Sequence, residues 1–113
     1  MKLTINRNQI SENPDAFLQH AGFARIYDSR RGQESFVRRL GNYHYPRIHV
    51  YIEESGNQVT FNMHVDQKQA SYAGNHMHNA DYEGPVVEEE VRRLRQQLEW
   101  LTAEFEAFRK QFQ

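Results

Sequence analysis

The sequence predicts an α+β domain in which a short N-terminal helix precedes an antiparallel sheet of about four strands, followed by a long C-terminal helix. Two pairs of segments with alternating polarity each flank a short turn, a pattern that is typical of β-hairpins. A capped apolar segment precedes these hairpins, and an apolar repeat of helical spacing follows them from position 85 onward. The length of 113 residues suits one domain, and the 12% aromatic content indicates a packed core.

The first 22 residues predict a strand and then a helix. The segment MKLTINRNQI alternates weakly at Leu3 and Ile5, which predicts a short edge strand or an arm. In the segment SENPDAFLQHAGF, Asn13 supplies a capping side chain, Pro14 suits the first turn and Gly22 suits the end of a helix. The apolar residues of this helix share one face, and they are Phe17, Leu18 and Ala21.

Two hairpins are predicted between residues 23 and 66. FARIYD and QESFVRRL flank a four-residue connection, SRRG, while RIHVYIEE and QVTFNMHVD flank SGN. If residues 56–57 occupy the centre of the second turn, Ile48 pairs with Val65 and His49 pairs with His64. The period of two then places the apolar residues in the core and both histidines on the opposite face. A register shifted by two residues would leave both histidines on that face.

The C-terminal part of the chain is predicted to form one helix over residues 85–113, after a core domain over residues 1–84. Its apolar residues are spaced alternately by four and three, which is the a/d pattern of a coiled coil. They are Val87, Val91, Leu94, Leu98, Leu101, Phe105, Phe108 and Phe112. At about 1.5 Å per residue the helix would extend roughly 42 Å, which is longer than a domain of this size is wide. Part of the apolar stripe would then project from the domain, so we expect it to pair with a second copy and form a homodimer. Alternatively, the same stripe packs against the chain's own sheet.

Histidines are concentrated in the second hairpin and in the loop that follows it, over residues 67–84. The chain has no cysteine, so a transition-metal site would have to use imidazole and carboxylate ligands. His64 and Asp66 are expected on one strand face, and His76 and His78 have the spacing that points two side chains of an extended segment to one side. We therefore predict a divalent-metal site, with zinc as the first candidate, formed by these four residues.

Two further residues are candidates for proton transfer at this site, His49 and Tyr82. An ion held by three protein ligands keeps a position for water and lowers the pKa of that water, so hydrolysis is one reaction the site would support. His49 or Tyr82 would then donate a proton or orient a ligand. The alternatives are a polar site without a metal and surface histidines that have no joint role.

Arginines dominate the positive charge between residues 23 and 47, and they suggest an alternative function. Guanidinium groups make planar, bidentate contacts with phosphate, which favours an RNA- or DNA-binding module or a metal-free ribonuclease with paired histidines. The candidate contacts are Arg30, Arg31, Arg38, Arg39 and Arg47. A second alternative is a structural interaction protein, because a solvated sheet face would have the same composition.

The remaining expectations concern where the protein works. The formal net charge is −1, and there is neither a long apolar run nor the pattern of a signal peptide. We therefore expect a soluble cytoplasmic protein that does not enter the membrane and whose main partner is a second copy of itself.

Overall fold

The computed structural model describes residues 1–67, 80–81 and 83–112. It confirms the predicted α+β class, with two helices packed on one face of an antiparallel sheet. In chain order the elements are β1 (Lys2–Asn6), α1 (Pro14–His20), β2 (Ala24–Asp28), β3 (Gln33–Arg39), β4 (Arg47–Ser55), β5 (Gln58–Asp66), β6 (Ala80–Asp81) and α2 (Pro85–Lys110). A 3-10 turn over Arg7–Gln9 follows β1.

The strands form one sheet in the order β1-β5-β4-β3-β2, and β6 pairs with the end of β5. Both predicted hairpins are present, β2 with β3 and β4 with β5. The sheet is larger than the four predicted strands because β1 and the two-residue β6 both add to the outer side of β5. β1 is therefore the edge strand that the alternation at Leu3 and Ile5 predicted.

Both hairpin turns have the predicted length. Residues 29–32 connect β2 to β3, and residues 56–57 connect β4 to β5. Gly32 and Gly56 adopt φ angles of +65° and +58°, a left-handed conformation that side chains with a Cβ atom rarely adopt. In the second hairpin Ile48 pairs with Val65, which is the predicted register.

α1 begins where the sequence predicts. The side chain of Asn13 accepts a hydrogen bond of 2.9 Å from the backbone N–H of Asp15, and Pro14 occupies the first turn. Phe17 is fully buried, and its ring centroid lies 5.6 Å from that of Phe61 in β5. The helix is therefore anchored against the middle of the sheet.

One hydrophobic core fills the space between the sheet and the two helices. The buried sheet residues are Leu3, Ile5, Phe36, Ile48, Val50, Val59, Phe61, Met63 and Val65. The opposite face was predicted to be polar, yet His49, Tyr51 and His64 on it are also buried. Their rings pack against one another, so this face contains a compact polar cluster rather than scattered, solvated side chains.

The apolar stripe of α2 divides into two parts. Val87 and Leu94 are buried in the core, and Val91, Leu98 and Leu101 pack against it, so the helix covers the chain's own sheet as far as Leu101. The last three apolar residues are exposed, and they are Phe105, Phe108 and Phe112. The molecule extends 61 Å along its longest axis and 30 Å along the next, as expected if the distal half of the helix projects. None of the described helices combines the length and apolar character that crossing a bilayer requires.

A histidine–aspartate cluster as candidate metal centre

Asp66, the last residue of β5, accepts hydrogen bonds from three side chains. Its Oδ1 accepts from His64 Nε2 at 2.7 Å, and its Oδ2 accepts from His49 Nδ1 at 2.9 Å and from Arg47 Nε at 3.1 Å. The β4–β5 register explains this convergence, because residue 47 pairs with 66 and residue 49 with 64. Strand alternation then places all four side chains on the face opposite the helices.

His49 makes hydrogen bonds at both ring nitrogens. Nδ1 contacts Asp66, and Nε2 lies 2.8 Å from the Oγ atom of Ser35 in β3. A carboxylate can only accept, so Nδ1 carries a proton in this arrangement, and in the neutral ring Nε2 accepts from the Ser35 hydroxyl. Ser35 is buried and Asp66 is partly buried, and these two contacts constrain the orientation of the imidazole ring.

Ser35, His49 and Asp66 are connected in the order that a nucleophilic triad uses. The side chain of Ser35 has no exposed surface, however, and it projects from the middle of a central strand. A nucleophile must reach its substrate. In this conformation Ser35 therefore orients His49 and does not attack a substrate.

Tyr51 extends the cluster along β4. Its ring stacks on His49 with a centroid separation of 4.6 Å, and its hydroxyl donates to Asp28 Oδ2 at 2.6 Å. Burial, followed by the hydrogen bond to Asp28, raises the pKa of Tyr51 well above its usual value. The guanidinium carbon of Arg31 lies 4.2 Å from the centroid of the Tyr51 ring. A neutral phenol ring thus contacts both the arginine and the His49 imidazole.

Two opposing effects determine the charge of Asp66. Burial alone would raise the pKa of its carboxyl group, but hydrogen bonds from His49 and His64, together with the charges on those rings, outweigh burial and lower the pKa below its ordinary value. Asp66 is therefore ionised at neutral pH. The cluster contains a stable carboxylate beside two imidazoles, which is a chemically suitable set of metal ligands.

The geometry of these three residues meets the basic requirement for a metal site. One ligand atom each from His49, His64 and Asp66 can be chosen so that all three atoms lie within 4.8 Å of one another. The two histidines are buried and Asp66 is partly buried, so these ligands are held in place by the sheet. The cluster can therefore hold a metal ion.

The structure brings together only part of the ligand set predicted from the sequence. His64 and Asp66 were predicted as ligands, and both belong to the cluster. His49 was predicted as a proton donor, and the structure places it with His64 and Asp66 in the group that could hold a metal ion. The other predicted site residues lie outside the described part of the chain: His76, His78 and Tyr82.

The five arginines proposed for nucleic-acid binding do not share one surface. Arg38 lies on the helix-bearing face, where it forms an ion pair with the buried Glu90 of α2. Arg39 and Arg47 are paired across β3 and β4 on the opposite face. The remaining two belong to the β2–β3 turn, and they are Arg30 and Arg31. Alternation along β3 separates Arg38 from Arg39, which the sequence pattern already implied.

Sequence reasoning missed Ser35 and Tyr51. Tyr51 follows His49 by two residues on β4, so strand alternation places both on one face and explains the stacking of their rings. The role of Ser35 depends on the pairing of Val37 with His49, which brings Ser35 diagonally beside the histidine. The seven-residue connection between β3 and β4 does not determine that register, so no local signal pointed to the serine.

Comparisons with protein-family models, with curated proteins and with solved structures return no match to this chain. The function must therefore be inferred from the site itself.

Proposed function

We propose that this domain binds a divalent transition-metal ion, with zinc as the first candidate, through His49, His64 and Asp66. The observation that carries the proposal is the convergence of two imidazole nitrogens and one carboxylate within 4.8 Å. Two histidines and one carboxylate form a recurrent ligand set for zinc and for other first-row metals.

The hydrogen bonds of Asp66 bring each imidazole close to the separation that two ligands of one ion require. Two ligand atoms that each lie about 2.1 Å from one ion are roughly 3.0–3.4 Å apart. The nitrogen–oxygen distances from Asp66 to His49 and to His64 are 2.9 and 2.7 Å. These two hydrogen bonds use different oxygens of Asp66, so an ion would displace both protons while the three ligand atoms, which lie within 4.8 Å of one another, move to contact it.

Ser35 can form a hydrogen bond with His49 both with and without a bound metal ion. A histidine that binds a metal through one nitrogen usually donates a hydrogen bond from the other. If Nδ1 of His49 binds the ion, Nε2 carries the proton, and the Ser35 Oγ atom at 2.8 Å is placed to accept it. The same serine can donate in the metal-free state, because a hydroxyl group both donates and accepts.

Hydrolysis is the reaction class that we propose for the metal-bound form. Three protein ligands leave a coordination position for water, and zinc lowers the pKa of bound water toward about 7. The guanidinium group of Arg47 makes a 3.1 Å contact with Asp66. Arg47 supplies positive charge beside the site, which would stabilise an anionic transition state.

A metal titration of chelator-treated protein tests the proposal. We expect isothermal titration calorimetry to show one zinc site per chain, and cobalt to give the visible absorption of a bound ion. His64→Gln and Asp66→Asn should each weaken zinc binding at least about a hundredfold, because loss of an outer-shell partner alone costs 10- to 100-fold. His20→Gln is the matched control, since His20 is an exposed histidine on α1. Unchanged affinity in Asp66→Asn, or no binding by the unaltered protein, would refute the proposal.

We also propose a cytoplasmic homodimer that pairs through the distal part of α2. Phe105, Phe108 and Phe112 follow the a/d spacing and are exposed. In a parallel pair, Glu104 of one copy would lie near Arg109 of the other at the g and e positions, which gives complementary charges. Because the first half of the helix packs on its own sheet, the proposed coiled coil is short.

A further inference from the structure

Arg39 and Arg47 are directly opposite each other on the face that carries the histidine–aspartate cluster. The Cβ atoms of opposed residues lie about 4.5–5.5 Å apart, and like charges in this position destabilise a sheet. Asp66 compensates Arg47 through an ion pair of 3.1 Å. Within residues 1–67, 80–81 and 83–112, Arg39 has no carboxylate at ion-pair distance, and its side chain contacts His44 Nδ1 at 3.0 Å.

Both guanidinium groups are oriented by aromatic neighbours in the β3–β4 connection. The guanidinium carbon of Arg47 lies 4.5 Å from the centroid of the Tyr45 ring, and Arg39 Nη2 is fixed by His44. Such contacts hold the plane of a guanidinium group and reduce the entropy lost when it binds a ligand. Arg39 itself is exposed to solvent. The two side chains thus present an excess of positive charge at the margin of the cluster.

We infer that Arg39 and Arg47 bind the phosphate group of a phosphate ester beside the histidine–aspartate cluster. Arginine forks match the oxygens of phosphate, and an anion between the two residues would remove their mutual repulsion. The side chain of Tyr43, in the same connection, is 81% exposed and offers a ring on which an aromatic base can stack.

The inference deepens the proposed function, on which it rests for the reaction. The substrate of the proposed hydrolysis would be a phosphate ester. The oxygen of water would bond to phosphorus while the bond from phosphorus to the ester oxygen breaks. A proton from the water would end on the released alcohol, so no oxidant or further reactant is needed.

Anion binding can be measured without any metal. We would titrate chelator-treated protein with inorganic phosphate and separately with adenosine monophosphate, following backbone amide signals by NMR. Two charge-assisted contacts predict dissociation constants of about 1 mM, and Arg39→Gln should weaken binding by about tenfold or more. Arg30→Gln is the matched control, because Arg30 is an exposed arginine of the β2–β3 turn, at the other end of β3, and does not lie opposite Arg47.

The variant Arg47→Gln distinguishes anion binding from metal binding. Because this substitution removes a positive charge beside Asp66, it should weaken phosphate binding by about tenfold or more. The affinity for zinc should be retained or increased. The inference is wrong if neither phosphate nor adenosine monophosphate binds, or if Arg39→Gln binds as well as the unaltered protein. It is also wrong if Arg30→Gln is equally impaired, since that would indicate diffuse charge. A failed zinc titration refutes the metal proposal alone, because the anion titrations contain no metal.

Discussion

The carboxylate of Asp66 is the centre of the cluster, because it accepts hydrogen bonds from His49, His64 and Arg47. All of its partners lie on β4 or β5, so the hairpin register alone assembles them. This explains why two of the three cluster residues that can bind a metal were predictable as ligands from the sequence. A short turn and strict alternation leave few choices for which side chains meet.

The lowered pKa of Asp66 has a consequence for stability. Because its pKa in the folded state lies below the ordinary value of 3.8, ionised Asp66 stabilises the fold above about pH 4. That contribution is lost as the pH falls through the lower, folded-state pKa. Asp66→Asn should therefore reduce the free energy of unfolding by about 1–3 kcal/mol at pH 7, and the difference should shrink in strong acid.

Urea denaturation at a series of pH values between 2 and 8 would measure this effect. Asp15→Asn provides the control, since Asp15 forms a more exposed ion pair with Arg25 and should change stability by less than about 1 kcal/mol. Equal stability of Asp66→Asn and the unaltered protein across this range would contradict the account of the cluster.

The pairing of β3 with β4 brings Ser35 to the cluster, which the sequence did not predict. Val37 lies opposite His49, and Ser35 therefore reaches the second nitrogen of the imidazole ring. The β4–β5 turn is two residues long, whereas seven residues separate β3 from β4. A connection of that length allows several registers, so the contact between Ser35 and His49 depends on tertiary packing rather than on local pattern.

Replacing Ser35 tests whether the strand pairing orients His49. Ser35→Ala removes the partner of a buried ring nitrogen, so we expect a loss of about 1–3 kcal/mol in the free energy of unfolding. Zinc should bind 10- to 100-fold more weakly if Ser35 fixes the ring for metal binding. The ¹⁵N chemical shifts of His49 should also show a changed proton distribution between Nδ1 and Nε2. Ser55→Ala, at the exposed end of β4, should leave all three measurements unchanged. Identical His49 shifts in Ser35→Ala would contradict this role.

The apolar stripe of the long C-terminal helix is buried against the sheet at one end and exposed at the other. Its spacing predicted an apolar stripe, but spacing alone does not tell which turns face the chain's own core. Val87 and Leu94 are buried against the sheet, and Glu90 between them pairs with Arg38 and Arg93. Leu98 and Leu101 still pack against the core, and beyond them the stripe is uncovered, because the helix is longer than the domain is wide. Self-association is therefore expected from the distal turns.

Sedimentation velocity over a range of protein concentrations tests this expectation. Three phenylalanines on each copy bury less surface than a standard interface of about 1,600 Å², so we expect a weak dimer with a dissociation constant on the order of micromolar. Phe105→Ser combined with Phe108→Ser should give a monomer at all concentrations without lowering the melting temperature, because both side chains are exposed in the single chain. Val86→Ser is the control, since Val86 is exposed at the other end of α2 and should leave the dimer intact. A monomeric unaltered protein at high concentration, or a dimer that persists in the double variant, would rule out pairing through these turns.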